Sequence, residues 1–370
     1  MKLKTIFLLL LFYIFALQGM LAKTSKSNIK YANSGSQRVI LVTIDGYRWQ
    51  ELFGGADSLL IFNQKYVNDL TQFRKLFWRT TAKERCMALM PFTWNFIAKH
   101  GILIGDRYVG SRMQVSNKMQ FSYPGYSEDL CGYPDDERIT SNNKIENPNI
   151  NVLEVANNMP EYHGKVLAFG SWDVFPYILS EQRNHLEVNA GFRHSLSTHP
   201  TAREKFLDEL EDETPSPWSD ERLDVFTFQY ALESMKSRHP KFIFIGLGET
   251  DDFGHAGKYD QYLMSAHRAD DFICRLWNYV QRDSFYRNKT TLIITCDHGR
   301  GEGSNWRSHG SNIPNSGETW LMALGKNIPA KGVVTDPTIY YNKQIAPTIA
   351  RILGVDFHPD HNDVGTPINF

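Results

Sequence analysis

A chain of 370 residues, 42% hydrophobic and 22% charged, is long enough for one large α/β domain with an insertion. Its 40 Lys and Arg nearly cancel its 41 Asp and Glu. No broad basic field is left to hold a nucleic-acid backbone, which argues against nucleic acid as a stable partner.

In chain order, Lys2 and Lys4 precede an apolar run from Ile6 to Leu17, and small or polar residues come next from Gly19 to Ala22. A charged start, a short apolar stretch and a small-residue exit read as a secretory signal peptide over 1–22. The run is short for a membrane span and no cysteine comes after it to carry a lipid, so no stable membrane anchor is expected. Residues 23–37 read as a polar linker, and export to the periplasm or beyond is expected.

The catalytic domain is expected over 38–370. Val39–Ile44 is a β-branched run of buried-strand length, and Lys165–Phe169, Phe242–Leu247, Thr291–Cys296 and Trp320–Leu324 are comparable. Helical patterns fall between them at Pro91–His100, Val152–Asn158, Glu221–Ser237, Tyr259–Arg282 and Gln344–Leu353. Near-continuous apolar strands alternating with helices predict an α/β fold with a mainly parallel central sheet covered on both faces. Residues 107–218, rich in Gly, Pro, Asn, Tyr and Trp, read as a loop-rich, cap-like insertion.

Export permits disulfides, and a Cys86–Cys131 bridge is one pairing the sequence allows. Cys296, at the end of an apolar run, reads as a buried free thiol.

Three strand patterns lead into carboxylates: Asp45 in T-I-D-G-Y, Asp251 in G-E-T-D-D-F-G-H, and Asp297 in T-C-D-H-G. In an open α/β sheet, ligands bind beyond the carboxyl ends of the strands, so these acids converge although distant in sequence. Asp251 and His255 are four apart, His298 adjoins Asp297, and His309 comes after a glycine-rich loop. Singly these are ordinary turn, cap and loop residues. Together, in this order, carboxylates and imidazoles form a ligand set suited to Zn²⁺.

The order D-G-x-R-W, a serine in S-Y-P-G-Y, D-x-x-x-G-H, D-H-G and a later histidine resembles the alkaline phosphatase superfamily. Within it, the type I phosphodiesterase/nucleotide pyrophosphatase branch is the most similar. The stretches Leu324–Ala330, Gln344–Gly354 and Gly365–Ile368 extend the likeness to Val39–Ile368. The resemblance implies two divalent ions, most simply Zn²⁺. Asp251, His255 and His309 would hold one, and Asp45, Asp297 and His298 the other. It also implies Ser122 as metal-held nucleophile and Asn143 as a donor to a phosphoryl oxygen. Thr43, Ser116 and Ser127 are lower-ranked nucleophiles.

The implied activity is hydrolysis of a small-molecule phosphate ester through a covalent phosphoserine. Sulfatases of this superfamily carry an Arg where Tyr126 stands, which disfavours that reading. The stretch Phe169–Phe175 lacks the Lys and Arg with which some monoesterases of this branch bind the extra phosphate charge. Trp172, Phe175 and Tyr177 there offer rings for stacking or for core packing. Phosphodiesters or nucleotide pyrophosphates are therefore expected. A phosphomonoesterase comes next, then a sulfatase-like enzyme or a non-catalytic metal- or phosphate-binding protein.

Overall fold

Apolar runs too continuous for a half-exposed strand form the centre of the protein. The computed structural model describes residues 37–370, so the expected signal peptide and all of the expected linker but Gln37 lie outside the described residues. The strands are β1 (Arg38–Ile44), β2 (Ile102–Ile104), β3 (Arg112–Gln114), β4 (Val166–Gly170), β5 (Glu187–Ala190) and β6 (Phe242–Leu247). They continue with β7 (Thr290–Thr295), β8 (Glu318–Thr319), β9 (Leu321–Gly325), β10 (Gly332–Val333) and β11 (Ile339–Tyr341). The helices that matter for the site are α1 (Ala82–Leu89), α2 (Ser122–Cys131), α3 (Val152–Asn157) and α4 (Asp224–Arg238). After them come α5 (Glu249–His255), α6 (Tyr259–Arg282) and α7 (Ile345–Leu353).

Eight strands form one sheet in the order β10-β2-β9-β7-β1-β6-β4-β5, and β11-β3-β8 form a small second sheet. In the large sheet every pairing is parallel except those of β9, which runs antiparallel to both β2 and β7. An apolar run specifies burial but not direction, so the sequence did not single β9 out.

Side chains alternate across the sheet between two cores. Ile40, Val42 and Ile44 of β1 join one core, with Leu263, Ile273 and Leu276 of α6 and Phe228 and Met235 of α4. Val39 and Leu41 join the other, with Leu130 of α2, Leu153 of α3 and Ile345, Ile349 and Leu353 of α7. Burying each large aliphatic side chain contributes about 1.5–3 kcal/mol, which fixes the register of the central strands.

Most boundaries lie within one residue of expectation. The helix expected from Glu221 starts at Asp224, and Pro91–His100 is helical with a π turn over Thr93–Ile97. Residues 107–218 supply β3, α2, α3, β4 and β5, of which β4 and β5 extend the main sheet beyond β6. Among the described residues no helix is long and apolar enough to cross a membrane.

The Cys86–Cys131 pairing does not occur, since all four cysteines are free. Cys86 sits on α1, which sends Leu89 into the first core, whereas Cys131 ends α2, which sends Leu130 into the second. The sheet therefore separates them. Cys296 is buried and free, as its apolar setting predicts.

β7, β1, β6 and β4 are parallel neighbours, so their carboxyl ends share one edge. Asp45 comes directly after β1, Asp297 comes two residues after β7, and Asp251 lies in the first turn of α5 after β6. The acidic residues meet because their strands are adjacent.

Candidate metal centre

Asp45 begins a turn in which Gly46 has φ +55°, a left-handed conformation that favours glycine. The Gly46 amide donates to Asp297 Oδ1 at 3.1 Å, and Thr250 Oγ1 donates to the Asp45 carbonyl at 2.5 Å. Tyr126 Oη donates to Asp45 Oδ2 at 2.9 Å. Asp297 and His298 are fully buried.

His298 Nδ1 lies 2.8 Å from the Gly299 carbonyl, which turns Nε2 toward the acids. Nε2 is 3.3 Å from Asp45 Oδ1, 3.3 Å from Asp297 Oδ2 and 3.8 Å from Asp251 Oδ1. His309 Nδ1 faces the Gln120 carbonyl at 3.4 Å, and its ring stacks on His298 with centroids 4.0 Å apart. His309 Nε2 is 3.6 Å from Asp251 Oδ1 and 2.9 Å from His255 Nε2, and His255 Nε2 is 3.0 Å from Asp251 Oδ2. One helical turn thus aims Asp251 and His255 at one point, as their spacing predicts.

Two trios bring their donor atoms within 4.8 Å of one another: Asp45, Asp297 and His298, and Asp251, His298 and His309. His298 belongs to both, and His255 adds to the second through its contacts with Asp251 and His309.

The electrostatics fit a divalent cation. Asp45 Oδ1 and Asp297 Oδ2 are buried without a hydrogen-bond partner, a costly state for a carboxylate unless a cation lies between them. Burial, then the neighbouring Asp251, pushes Asp45 up to about 8. Burial, then Asp45 and Asp251, holds Asp297 well above its ordinary value. Burial would also raise Asp251, but Arg300, His309 and His255 outweigh it and hold that carboxyl well below the usual range. Burial lowers His298 and His309 to about 4, so both rings are neutral at pH 7, as metal ligands must be. The Asp251 carboxylate beside it raises His255.

Ser122 is the first residue of α2 and is 6% exposed, with Oγ 3.3 Å from His298 Nε2. The helix reaches this position because Gly125 has no side chain. A Cβ there would lie 2.3 Å from the Asp297 carbonyl oxygen. A cleft of about 340 Å³ is lined by Phe121, Ser122, Asn142, Asp251, His255 and His309, and among the described residues Ser122 brings the only hydroxyl to that lining. Thr43, buried within β1, and Ser127, whose Oγ faces Asn147 and Cys131, do not line it, nor does Ser116. A larger cleft of about 650 Å³ touches Thr290, where β7 begins, the end of that strand opposite Asp297.

One placement differs from expectation. Asn142, not Asn143, lines the cleft, where its Oδ1 accepts the Tyr123 amide at 3.0 Å, while Asn143 lines a separate pocket with Tyr123 and Arg138. Phe175 is a core residue, with its ring 4.8 Å from Tyr126 and 5.2 Å from Phe244, so it offers no stacking face. Sequence reasoning passed over Arg300, whose Nη1 donates to Asp251 Oδ1. A cation inside D-H-G-R-G, directly after an acid and an imidazole ligand, is the signal that could have found it.

The sequence model of the Metalloenzyme superfamily matches residues 218–313, a span that holds every Asp and His ligand candidate except Asp45. The structure resembles the lipoteichoic acid synthase LtaP from Listeria monocytogenes at a TM-score of 0.58 and 10% identity, covering 92% of this chain and 78% of that one. It resembles the phosphonate monoester hydrolase of Silicibacter pomeroyi at 0.56 and 14%, covering 90% and 76%. A variant of the alkaline phosphatase PafA matches at 0.53 and 11%, covering 89% and 98%. The fold is alkaline phosphatase-like, the one these three structures share. No curated protein sequence matches the chain. At the carboxyl edge of the sheet, these Asp and His side chains form candidate ligand groups for a divalent metal ion.

Proposed function

We propose that this chain is an exported two-zinc hydrolase of small-molecule phosphate esters, acting on phosphodiesters or nucleotide pyrophosphates through a phosphoserine on Ser122. The observation that carries the reading is Ser122 Oγ lying 3.3 Å from His298 Nε2, in a cleft that Asp251, His255 and His309 also line. The lipoteichoic acid synthase, phosphonate monoester hydrolase and alkaline phosphatase that share the fold support ester chemistry at this edge.

Asp251, His255 and His309 would hold one ion, and Asp45, Asp297 and His298 the other. When bound, the ions supply positive charge that favours ionised Ser122 and a charged leaving oxygen. Ser122 Oγ attacks phosphorus, and the P–O bond to the leaving group breaks in line. Water then cleaves the phosphoserine and returns the serine hydroxyl. Asn142, at the cleft wall, is placed to donate to a non-bridging phosphoryl oxygen, the role expected of Asn143.

The residues just beyond β4 support a diester preference. Phe175 fills the space over Gly170 and Gly246, where added Cβ atoms would lie 2.2 and 2.5 Å from its ring. Ser171 is buried against Asp224 and Thr227, and Asp173 engages Lys144 at 2.5 Å. Among the described residues no unengaged cation stands at that strand end for the second charge of a monoester. Rates on a bis-aryl phosphate and an aryl monophosphate test this, with faster diester turnover expected and a strong monoester preference reversing it. Ser122→Ala is expected to abolish turnover while keeping the metal, and full activity in that variant would refute the nucleophile.

A further inference from the structure

Arg300 is fully buried in the loop after Asp297 and His298. Backbone carbonyls hold its guanidinium: Nε donates to Trp306 at 2.9 Å and Nη2 to Arg307 at 2.6 Å. The remaining arm, Nη1, donates to Asp251 Oδ1. Two glycines keep the space open. A Cβ on Gly254 would lie 2.8 Å from Arg300 Cζ, and one on Gly46 would lie 3.1 Å from Nη1 and 2.3 Å from Asp251 Oδ1. Glycine before His255 therefore has a steric reason, because the guanidinium passes there.

Arginine does not lose its proton in a protein, so this is a permanent charge, and burial leaves it much less screened by salt. Its position makes the two halves of the centre unequal. Asp45 and Asp297 give one half two carboxylates. The other half has Asp251 alone, with Oδ1 engaged by Arg300 and Oδ2 turned to His255 at 3.0 Å.

We infer that Arg300 is a positioning residue that makes the Asp251/His255/His309 site the weaker of the two metal sites, so the centre fills first at Asp45/Asp297/His298. The inference rests on the two-metal reading. The test counts metal ions per chain in the zinc-loaded protein as a competing chelator is raised. Wild type is expected to release its ions in two steps separated by about tenfold or more in chelator. His255→Ala is expected to lose the early step and keep the late one. Arg300→Met is expected to tighten the early step by about tenfold and bring the two together, whereas Arg300→Lys, which keeps the charge, keeps them apart.

One-step release in wild type overturns the inference. So does loss of the late step in His255→Ala, an unchanged profile in folded Arg300→Met, or a merged profile in Arg300→Lys. The wild-type, His255 and Lys profiles decide the matter if Arg300→Met does not fold. A chain that never holds two ions defeats the two-metal reading itself, a separate result.

Discussion

Tyr126→Phe removes one oxygen and tests how Asp45 is aimed. The phenol donates to Asp45 Oδ2 at 2.9 Å, while the ring packs 4.8 Å from Phe175 and 6.4 Å from Phe244. Phenylalanine fills the same buried space, so packing is kept and only the hydrogen bond is lost. A hydrogen bond to a charged group contributes about 1.5–3 kcal/mol, or roughly 10–150-fold in an equilibrium constant. Loss of such an outer contact typically weakens metal binding about 10–100-fold, which agrees with that range. The variant is expected to hold two ions at saturating metal, with one bound about 10–100-fold more weakly in chelator competition. Its circular dichroism should match wild type, and excess metal should restore turnover. Unchanged affinity for both ions would refute the view that Tyr126 positions Asp45.

Gly125→Ala is expected to destabilise the protein by about 1–3 kcal/mol in denaturant titration, because overpacking here meets backbone rather than a yielding side chain. The added Cβ would lie 2.3 Å from the Asp297 carbonyl oxygen and must lift α2, and Ser122 with it, so turnover should fall beyond the loss of stability. In chelator-stripped protein, folding stability should decline as pH rises from about 6.5 to 8. Asp45, raised to about 8, and Asp297, raised well above its ordinary value, keep protons in the folded state that the unfolded chain has released, so stability is lost as they ionise. Below about 6.5 the lowered His298 and His309 pull the other way, because the unfolded chain then binds the extra protons. Thermal unfolding across this range checks the slope, and bound metal should make the decline shallower.

Much of the site was legible because its ligands fall at strand ends. Val39–Ile44, Phe242–Leu247 and Thr291–Cys296 announce buried parallel strands, and the rule that ligands gather beyond strand carboxyl ends then joins Asp45, Asp251 and Asp297. The four-residue spacing of Asp251 and His255 is local information and survives folding as a 3.0 Å contact. Asn143 was misplaced because two adjacent asparagines in a loop have no period to tell which faces the cleft. Cys86–Cys131 failed for a related reason, since spacing along the chain does not reveal that a sheet lies between two cysteines.

The sequence by itself therefore determined the α/β class, the near-neutral charge that argues against nucleic acid, and which acids and imidazoles could form a metal centre. Tertiary structure alone decided that His298 stands between the two halves, that Gly125 brings Ser122 within 3.3 Å of it, and that Arg300 leans on Asp251. Strand order and helix approach set those contacts. Both depend on packing between segments far apart in the chain, which composition and periodicity do not encode.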